Sequence, residues 1–265
     1  TGSVFGSGYN SVSHEGDSTI YVYKALKTST PTKIDDYTIG DTEMGMGLSI
    51  GMNTIAGGLF AGKDSQWIGD GKIVIDLQKD TTSNRMAKSI VGGNFSNIDN
   101  EDTVTREGNN YILIQNTCAG DGSRLFSNYI VGADMVVAAG THVMTGDTYV
   151  EFRNMGALTY IGGKGYNTDN PFIVGGYVAL DFAHPPMYTT TSVFTMVGNT
   201  HIKVTNAENG IFNANMVAGH ATSRDKLWDN SEDILSTNEL ERLNVSAIEG
   251  DTYIDIDSGV YKGVV

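Results

Sequence analysis

A box of seven residues recurs six times along this chain. Each copy begins with Gly, continues with Asp or Asn, and ends in two branched or aromatic apolar residues placed two positions apart. The copies, which we call turn boxes, occupy residues 16–22, 69–75, 108–114, 146–152, 198–204 and 250–256. Internal repetition on this scale is typical of repeat architectures, in which each unit buries its apolar face against the next unit. The turn box therefore constrains the fold more than any other feature of the sequence.

A second box alternates with the first. It consists of two apolar residues followed by two small ones, usually Gly-Gly, and its copies, the glycine boxes, occupy 55–58, 90–93, 130–133, 173–176 and 216–219. Counted with a partial copy at Val264, the boxes recur about every 22 to 23 residues, a common period for solenoid repeats. Because the chain stops where that copy would reach its glycines, we expect residues 1–265 to be one domain cut from a longer repetitive chain.

The residue types of the turn box predict a tight turn followed by a strand. Gly supplies positive φ angles, and the side chain of Asp or Asn can hydrogen-bond to turn backbone. The apolar residues then alternate with the period of a strand that has one buried face. The residues predicted to face inward are Ile20, Ile73, Ile112, Val150, Ile202 and Ile254, and those predicted to face outward are Tyr21, Val74, Leu113, Glu151, Lys203 and Asp255.

Composition and charge exclude several classes of protein. Gly accounts for 33 of 265 residues but Pro for only 4, which argues against collagen and against a disordered Pro-Gly segment. The net charge is −14, with 17 basic residues scattered among 31 acidic ones, whereas nucleic-acid binding requires clustered basic residues. An anionic membrane surface is disfavoured for the same reason, and no apolar run is long enough for a membrane helix. The single Cys118 fits a small buried residue better than a nucleophile.

Three stretches interrupt the repeat at 24–38, 183–191 and 221–247. The last one has no glycine and is rich in Leu, Glu and basic residues. Its apolar residues between 233 and 243 have helical spacing, so we predict a short helix that packs on the repeat. Insertions of this kind project from the coils and are usual places for binding.

Residues suited to catalysis or metal binding do not form a recognisable cluster. Carboxylates outside the turn boxes are scattered, at Asp134, Asp169, Asp181, Asp225, Asp229 and Asp233. The five histidines lack metal-ligand spacing, and His184 and His201 are interpreted as surface residues. Calcium could bind near 97–102 or 120–122, but neither segment matches an EF-hand loop and both fit plain turns. We therefore predict no catalytic residue, no metal and no cofactor.

Aromatic residues near the interruptions are the candidates for ligand contact. Tyr166, Tyr188 and Trp228 are predicted as ligand-binding residues, and Tyr177 belongs to the same group. Each could stack on a sugar ring, although ordinary core or edge packing is the more frequent explanation for such residues. Trp228 lies in the predicted insertion, and Trp is enriched at interface hot spots.

The two alternating boxes resemble the repeats of bacterial extracellular β-helix proteins, namely autotransporter-like passengers and repetitive surface adhesins of the broad pectate-lyase-like architecture. The resemblance implies an all-β, right-handed parallel β-helix (β-solenoid) located outside the cell or on its surface. It also implies a binding or display module, an adhesin or stalk, whose partner is a glycan or a host or cell-surface ligand. The alternative is a polysaccharide lyase or glycoside hydrolase on the same scaffold. Two or three carboxylates within about 5 to 10 Å in one groove would favour that enzyme.

Overall fold

The chain forms parallel sheets that fit a parallel β-helix. The computed structural model describes residues 3–11, 13–23, 32–34, 37–39, 52–60, 65–76, 87–97, 104–117, 124–137, 141–156, 159–161, 172–180, 193–222, 246–263 and 265. These residues form strands and turns and contain no helix, so none of them forms a helix long and apolar enough to cross a membrane. The helix predicted at 233–243 lies outside the described residues, as does most of the insertion at 221–247.

Two six-stranded sheets contain only parallel pairs. The box sheet is built from the turn boxes and comprises β4 (Ser18–Tyr23), β10 (Gly71–Asp76), β13 (Asn110–Gln115), β16 (Thr148–Arg153), β20 (Thr200–Thr205) and β24 (Thr252–Ile256). The flanking sheet precedes each box and comprises β3 (Ser13–Glu15), β9 (Gln66–Ile68), β12 (Val104–Glu107), β15 (Thr141–Thr145), β19 (Val193–Val197) and β23 (Ser246–Glu249). In both sheets the spatial order of the strands follows the order of the chain.

A third, eleven-stranded sheet, the long sheet, contains the glycine boxes. Its strands are β1 (Val4–Phe5), β2 (Tyr9–Ser11), β7 (Met52–Ala56), β8 (Leu59–Phe60), β11 (Ala87–Asn97), β14 (Arg124–Val137), β17 (Thr159–Ile161), β18 (Phe172–Leu180), β21 (Gly210–Phe212), β22 (Asn215–Thr222) and β25 (Val260–Tyr261). The interruption at 24–38 contributes to a separate antiparallel pair, β5 (Thr32–Ile34) and β6 (Tyr37–Ile39).

The path of the chain visits the three sheets in turn. β9, β10 and β11 follow one another along the sequence, and each pairs in parallel with its counterpart in β12, β13 and β14. Within the box sheet the pairing keeps equivalent box positions together, so that Ile73 lies beside both Ile20 and Ile112. Equivalent residues of successive coils are therefore stacked in register, as the spacing of the boxes predicts.

One core cluster runs through the stacked coils. Five of the six residues predicted to face inward are at most 9% exposed, and the Ile and Met residues of the glycine boxes belong to the same cluster. Ile254 is 37% exposed because β24 is the last strand of the box sheet and only β20 pairs with it. The predicted outward positions Val74, Leu113 and Glu151 lie outside this cluster but are also buried, which alternation alone did not predict.

The turn boxes are joined by their Asp and Asn side chains. Oδ1 of Asp70 accepts the backbone N–H of Asn109 at 2.8 Å, and Oδ1 of Asn109 accepts that of Asp147 at 2.9 Å. The same bond recurs between every consecutive pair of boxes from Asp17 to Asp251. We expected these side chains to bond turn backbone, and the structure shows that the bonded turn belongs to the next coil. The resulting row, the Asx ladder, fixes the register of the coils.

Two glycine positions show why each box needs its glycines. Gly146 has φ 131°, which disfavours any residue with a side chain, and a Cβ there would lie 2.2 Å from the carbonyl oxygen of Gly108. Gly92, in a glycine box, is required because the neighbouring backbone lies so close. A Cβ added there would lie 2.0 Å from the carbonyl oxygen of Gly132. Both glycines let one coil rest directly on the backbone of the next.

A second ladder at the other end of the box strands was missed by the sequence analysis. Asn116, Asn154 and Asn206 all have φ between 53° and 56°, a region that Asn tolerates better than most residues. Nδ2 of Asn154 donates to Oδ1 of Asn116 at 3.1 Å, and Nδ2 of Asn206 donates to Oδ1 of Asn154 at 3.3 Å. Each asparagine stands eight positions after the glycine of its box, so aligning the boxes would have revealed the row.

The flanking sheet supplies a buried cation that was also missed. Arg106 is fully buried, and its guanidinium lies 3.7 Å from the ring centroid of Trp67. It donates to the carbonyl oxygen of Gly69 at 2.6 Å and to Oδ1 of Asn110 at 3.0 Å. Burial lowers the pKa of Arg106 to about 10, so the group stays charged at neutral pH and ties the flanking sheet to the turn that follows it.

We predict that Ile202→Ala lowers the free energy of unfolding by about 2–5 kcal/mol, because Ile202 is buried in the inward ladder between Val150 and Ile254. Ile254→Ala is the matched control, since Ile254 holds the equivalent box position but is 37% exposed. Urea unfolding of the three proteins gives the comparison. Equal losses for the two variants would contradict the inward register.

A second prediction concerns the Asx ladder. Asn199→Ala removes the acceptor of the solvent-exposed Asp251 N–H bond and should lower the free energy of unfolding by about 0.5–1.5 kcal/mol. Asn199→Asp keeps an acceptor oxygen in the same place, so its free energy of unfolding should fall much less than that of Asn199→Ala. If both variants unfold at the same urea concentration as the parent, the side-chain ladder does not stabilise the stack.

Candidate binding groove

The residues predicted to contact a ligand are not placed by the structure. Tyr166, Tyr188 and Trp228 all lie outside the described residues, as do the scattered carboxylates from Asp169 to Asp233. Asp134 lies in β14 of the long sheet. Tyr177 is described, and it is fully buried and stacked on His220 with ring centroids 5.5 Å apart. Tyr177 is therefore a packing residue, and the suggestion that it stacks on a sugar was wrong.

The outer face of the box sheet carries a row of rings instead. Tyr111, Tyr149, His201 and Tyr253 occupy the fourth box position in β13, β16, β20 and β24 and are register partners. His201 stacks on Tyr149 at 4.5 Å and on Tyr253 at 4.6 Å, with planes 8° and 6° apart. Tyr111 is tilted by 51° from Tyr149 at 6.1 Å, and Nζ of Lys72 lies 5.5 Å from its centroid. We call these four rings the aromatic row.

The second residue of each box decides where its tyrosine leans. The hydroxyls of Tyr149 and Tyr253 donate to Oδ2 of Asp147 and Asp251, each at 3.0 Å, so both rings lean toward the turn. The box of Tyr111 has Asn109 in place of Asp, and the hydroxyl of Tyr111 donates to Glu151 on the next strand instead. The row therefore closes over the sheet at Tyr111 and leaves space beside Tyr149 and Tyr253.

Charged side chains stand along the other side of that space. Glu151, Lys203 and Asp255 occupy the sixth box position of three consecutive strands and form the charged row. Oε1 of Glu151 accepts two bonds from Arg153, at 2.7 and 3.1 Å, while Oε2 accepts the Tyr111 hydroxyl. Nζ of Lys203 lies 3.9 Å from Oδ2 of Asp255. Each charge in the row thus has a partner of opposite sign.

The two rows enclose a groove of about 300 Å³ that crosses the strands from Tyr111 to Tyr253. Its floor is formed by the strand backbone at Val150 and Ile202. Four strands about 4.8 Å apart give the groove a length of roughly 14 Å. Its volume lies at the lower end of the range for small-molecule sites.

Ionisation is suppressed along the aromatic row. Burial is the main cause that raises the pKa of Tyr111 above its ordinary value of 10.0, and the neighbouring Glu151 carboxylate raises it further. Burial likewise raises the pKa of Tyr149, while the hydrogen bond to Asp251 raises that of Tyr253. These phenols are neutral donors at physiological pH, and the hydrogen bond to Glu151 raises the pKa of Arg153.

This arrangement is suited to binding more than to acid–base catalysis. Two carboxylates, Glu151 and Asp255, line the same groove two strands apart, about 9.6 Å between Cα atoms. Both oxygens of Glu151 are already occupied by Arg153 and Tyr111, so this carboxylate would have to break those bonds to accept or donate a proton. Among the described residues, no group of three or more His, Cys, Asp or Glu side chains could hold a metal ion.

Comparison with known proteins identifies no relative. No protein-family model matches the chain. No curated protein and no solved structure matches it either.

The groove is not visible in any single box, because its two rows form only when equivalent positions of several boxes lie side by side. Aligned on their glycines, the fourth positions read Thr, Lys, Tyr, Tyr, His, Tyr. That alignment would have shown that His201 stands between two tyrosines and is not the isolated surface residue expected. It would not have shown the bond from Tyr111 to Glu151, since this depends on how the side chains lean.

We predict that Tyr111→Phe changes the alkaline stability of the protein. The pKa of Tyr111 is raised in the folded chain. The neutral phenol therefore makes its full contribution to the free energy of unfolding below pH 10, and this contribution is lost as the pH rises further. Above pH 10 the stability of the parent should therefore fall more steeply than that of the variant. At pH 7 the variant should be less stable by about 1.5–3 kcal/mol, because it loses a hydrogen bond to a charged group.

Urea unfolding at pH 7 and at several values between 9 and 11.5 measures both effects. Tyr21→Phe controls for the number of tyrosines, since Tyr21 lies on the same sheet and is 47% exposed. Parallel profiles of unfolding free energy against pH for the parent and Tyr111→Phe would show that the Tyr111 phenol does not contribute to the pH dependence of stability.

Proposed function

We propose that this chain is a binding and display module of an extracellular or cell-surface protein, an adhesin or a stalk, built as a right-handed β-solenoid domain. The observation that supports this proposal most directly is the groove on the box sheet. Its side chains are held in ladders by stacking and by paired charges, and a preorganised surface loses little entropy when it binds. The acidic composition, with a net charge of −14, agrees with a soluble surface exposed outside the cell.

We propose that the ligand is a glycan or another molecule of a host or cell surface, recognised on the outer face of the box sheet. Lys203 and Asp255 are the most accessible polar groups of the groove, with 49% and 72% of their side chains exposed. Their donors and acceptors are suited to hydroxyl groups. The inner ring faces of the aromatic row are covered by one another, so hydrogen bonds would carry glycan recognition.

A glycan array probed with the parent and with the double variant Lys203→Ala/Asp255→Ala tests this proposal. The parent should bind a defined set of glycans on the array. The double variant should bind them at least about tenfold more weakly, which corresponds to about 1.4 kcal/mol of binding free energy. Glu208→Ala is the control, because Glu208 is exposed and lies outside the groove. Binding that is unchanged in the double variant would place the site elsewhere, and no binding by the parent would contradict a glycan ligand.

The second candidate is a polysaccharide-cleaving enzyme, supported by the two carboxylates that share the groove. An inverting glycosidase uses two carboxyl groups that face each other across the space for a water molecule, and Glu151 and Asp255 stand on strands two apart in this groove. Incubation with polysaccharides, followed by analysis of released oligosaccharides, separates the two proposals. Cleavage that is abolished by both Glu151→Gln and Asp255→Asn would establish the enzyme, whereas intact polymers would favour the module.

A further inference from the structure

We propose that the groove binds an elongated, flat, uncharged aromatic molecule that lies along the aromatic row, across the strands. This inference rests on the proposed binding function of the groove and names a ligand class for it. Three features of the groove support it: the orientation of its rings, the pairing of its charges and its straight course.

The orientation of the rings decides which surface meets a ligand. Tyr149, His201 and Tyr253 are stacked face to face along the row, so the wall of the groove presents their edges and not their inner faces. Ring edges are electropositive and ring faces electronegative, which is why aromatic groups favour edge-to-face contacts. A flat aromatic ligand laid against the wall would place its electronegative face on a series of electropositive edges. A sugar ring has no such face.

The charges of the groove favour a neutral ligand. Glu151 is paired with Arg153, and Lys203 lies within 3.9 Å of Asp255. The two cations and two anions of these pairs cancel, so these side chains give the groove no net charge that would favour a ligand of either sign. A neutral ligand with hydroxyl groups can hydrogen-bond to the exposed ends of Lys203 and Asp255 without displacing either partner.

The shape of the groove favours a rigid, elongated ligand. Because the strands are in register, the wall and the charged row are straight and parallel over roughly 14 Å. The hydroxyl of Tyr111 reaches across to Glu151 at one end, which limits the length that fits. A volume of about 300 Å³ accommodates two or three linked rings better than a branched or folded molecule.

A hydroxylated stilbene, resveratrol, is the probe, and its dihydro derivative is the matched ligand control. The derivative keeps the same hydroxyl groups but has a saturated central bond and is no longer flat. Calorimetric titration should show saturable 1:1 binding of resveratrol. The dihydro derivative should bind roughly three- to tenfold more weakly, the range expected for edge-to-face aromatic contacts. Equal binding of the two compounds would overturn the proposal.

Two protein variants locate the site. Tyr149→Leu removes one of the three stacked ring edges and keeps apolar bulk, so resveratrol should bind roughly three- to tenfold more weakly. Tyr21→Leu removes an exposed tyrosine of the same sheet that does not line the groove, and its binding should match the parent. Circular dichroism confirms that both variants are folded. Unchanged binding in Tyr149→Leu, or an equal loss in Tyr21→Leu, would refute the assignment.

Two further measurements separate this inference from the proposed function. A stilbene of the same length that carries a carboxylate should bind more weakly than resveratrol, and equal or tighter binding of the charged compound would contradict an uncharged ligand. If resveratrol binds the groove but the array shows no glycan, the aromatic ligand stands and the glycan proposal fails. If glycans bind through Lys203 and Asp255 while resveratrol does not bind at all, the opposite conclusion follows.

Discussion

The hydrogen bond from each turn to the Asp or Asn side chain of the preceding coil is the interaction on which the rest of this structure depends. A parallel sheet by itself tolerates slippage, because shifting a strand by two residues restores the same faces. The Asx ladder removes that freedom, since each side-chain oxygen meets the backbone N–H of the equivalent residue one coil later. Glycine at the preceding position makes the approach possible, because any Cβ at Gly146 would collide with the backbone of Gly108.

Fixed register has opposite consequences inside and outside the coils. Inside, it stacks one branched residue on another, and the resulting rows of Ile and Val fill the core. Outside, it stacks equivalent residues of successive coils whether their side chains attract or repel each other. The outer face is therefore compatible only with neighbours that tolerate close repetition, such as stacked rings or alternating charges. The Tyr149–His201–Tyr253 stack and the series Glu151, Lys203, Asp255 both satisfy this condition.

The sequence predicted those parts of the fold that repeat with an obvious pattern. Both boxes combine glycine with apolar residues, so their strands, and most of the inward positions of the turn boxes, followed from known geometry. The flanking sheet could not be predicted in the same way, because its strands have three to five residues and its inward positions include Trp67 and the charged Arg106. A buried arginine is recognisable only when its partners are known, and these come from the following turn and the previous coil.

The groove depends on differences between boxes that keep the same register. Asp and Asn both offer Oδ1 to the next coil, so either residue maintains the ladder. Their second groups differ, because the carboxylate has another acceptor for a phenol and the amide has a donor. Tyr149 and Tyr253 follow Asp and lean toward the turn, whereas Tyr111 follows Asn109 and reaches Glu151. Whether the space beside a ring is open or closed thus depends on Asp or Asn in its own box and on the sixth position of the next box, which is Glu151 beside Tyr111 and Lys203 beside Tyr149. In this way the repeat can vary its binding surface without any cost to its register.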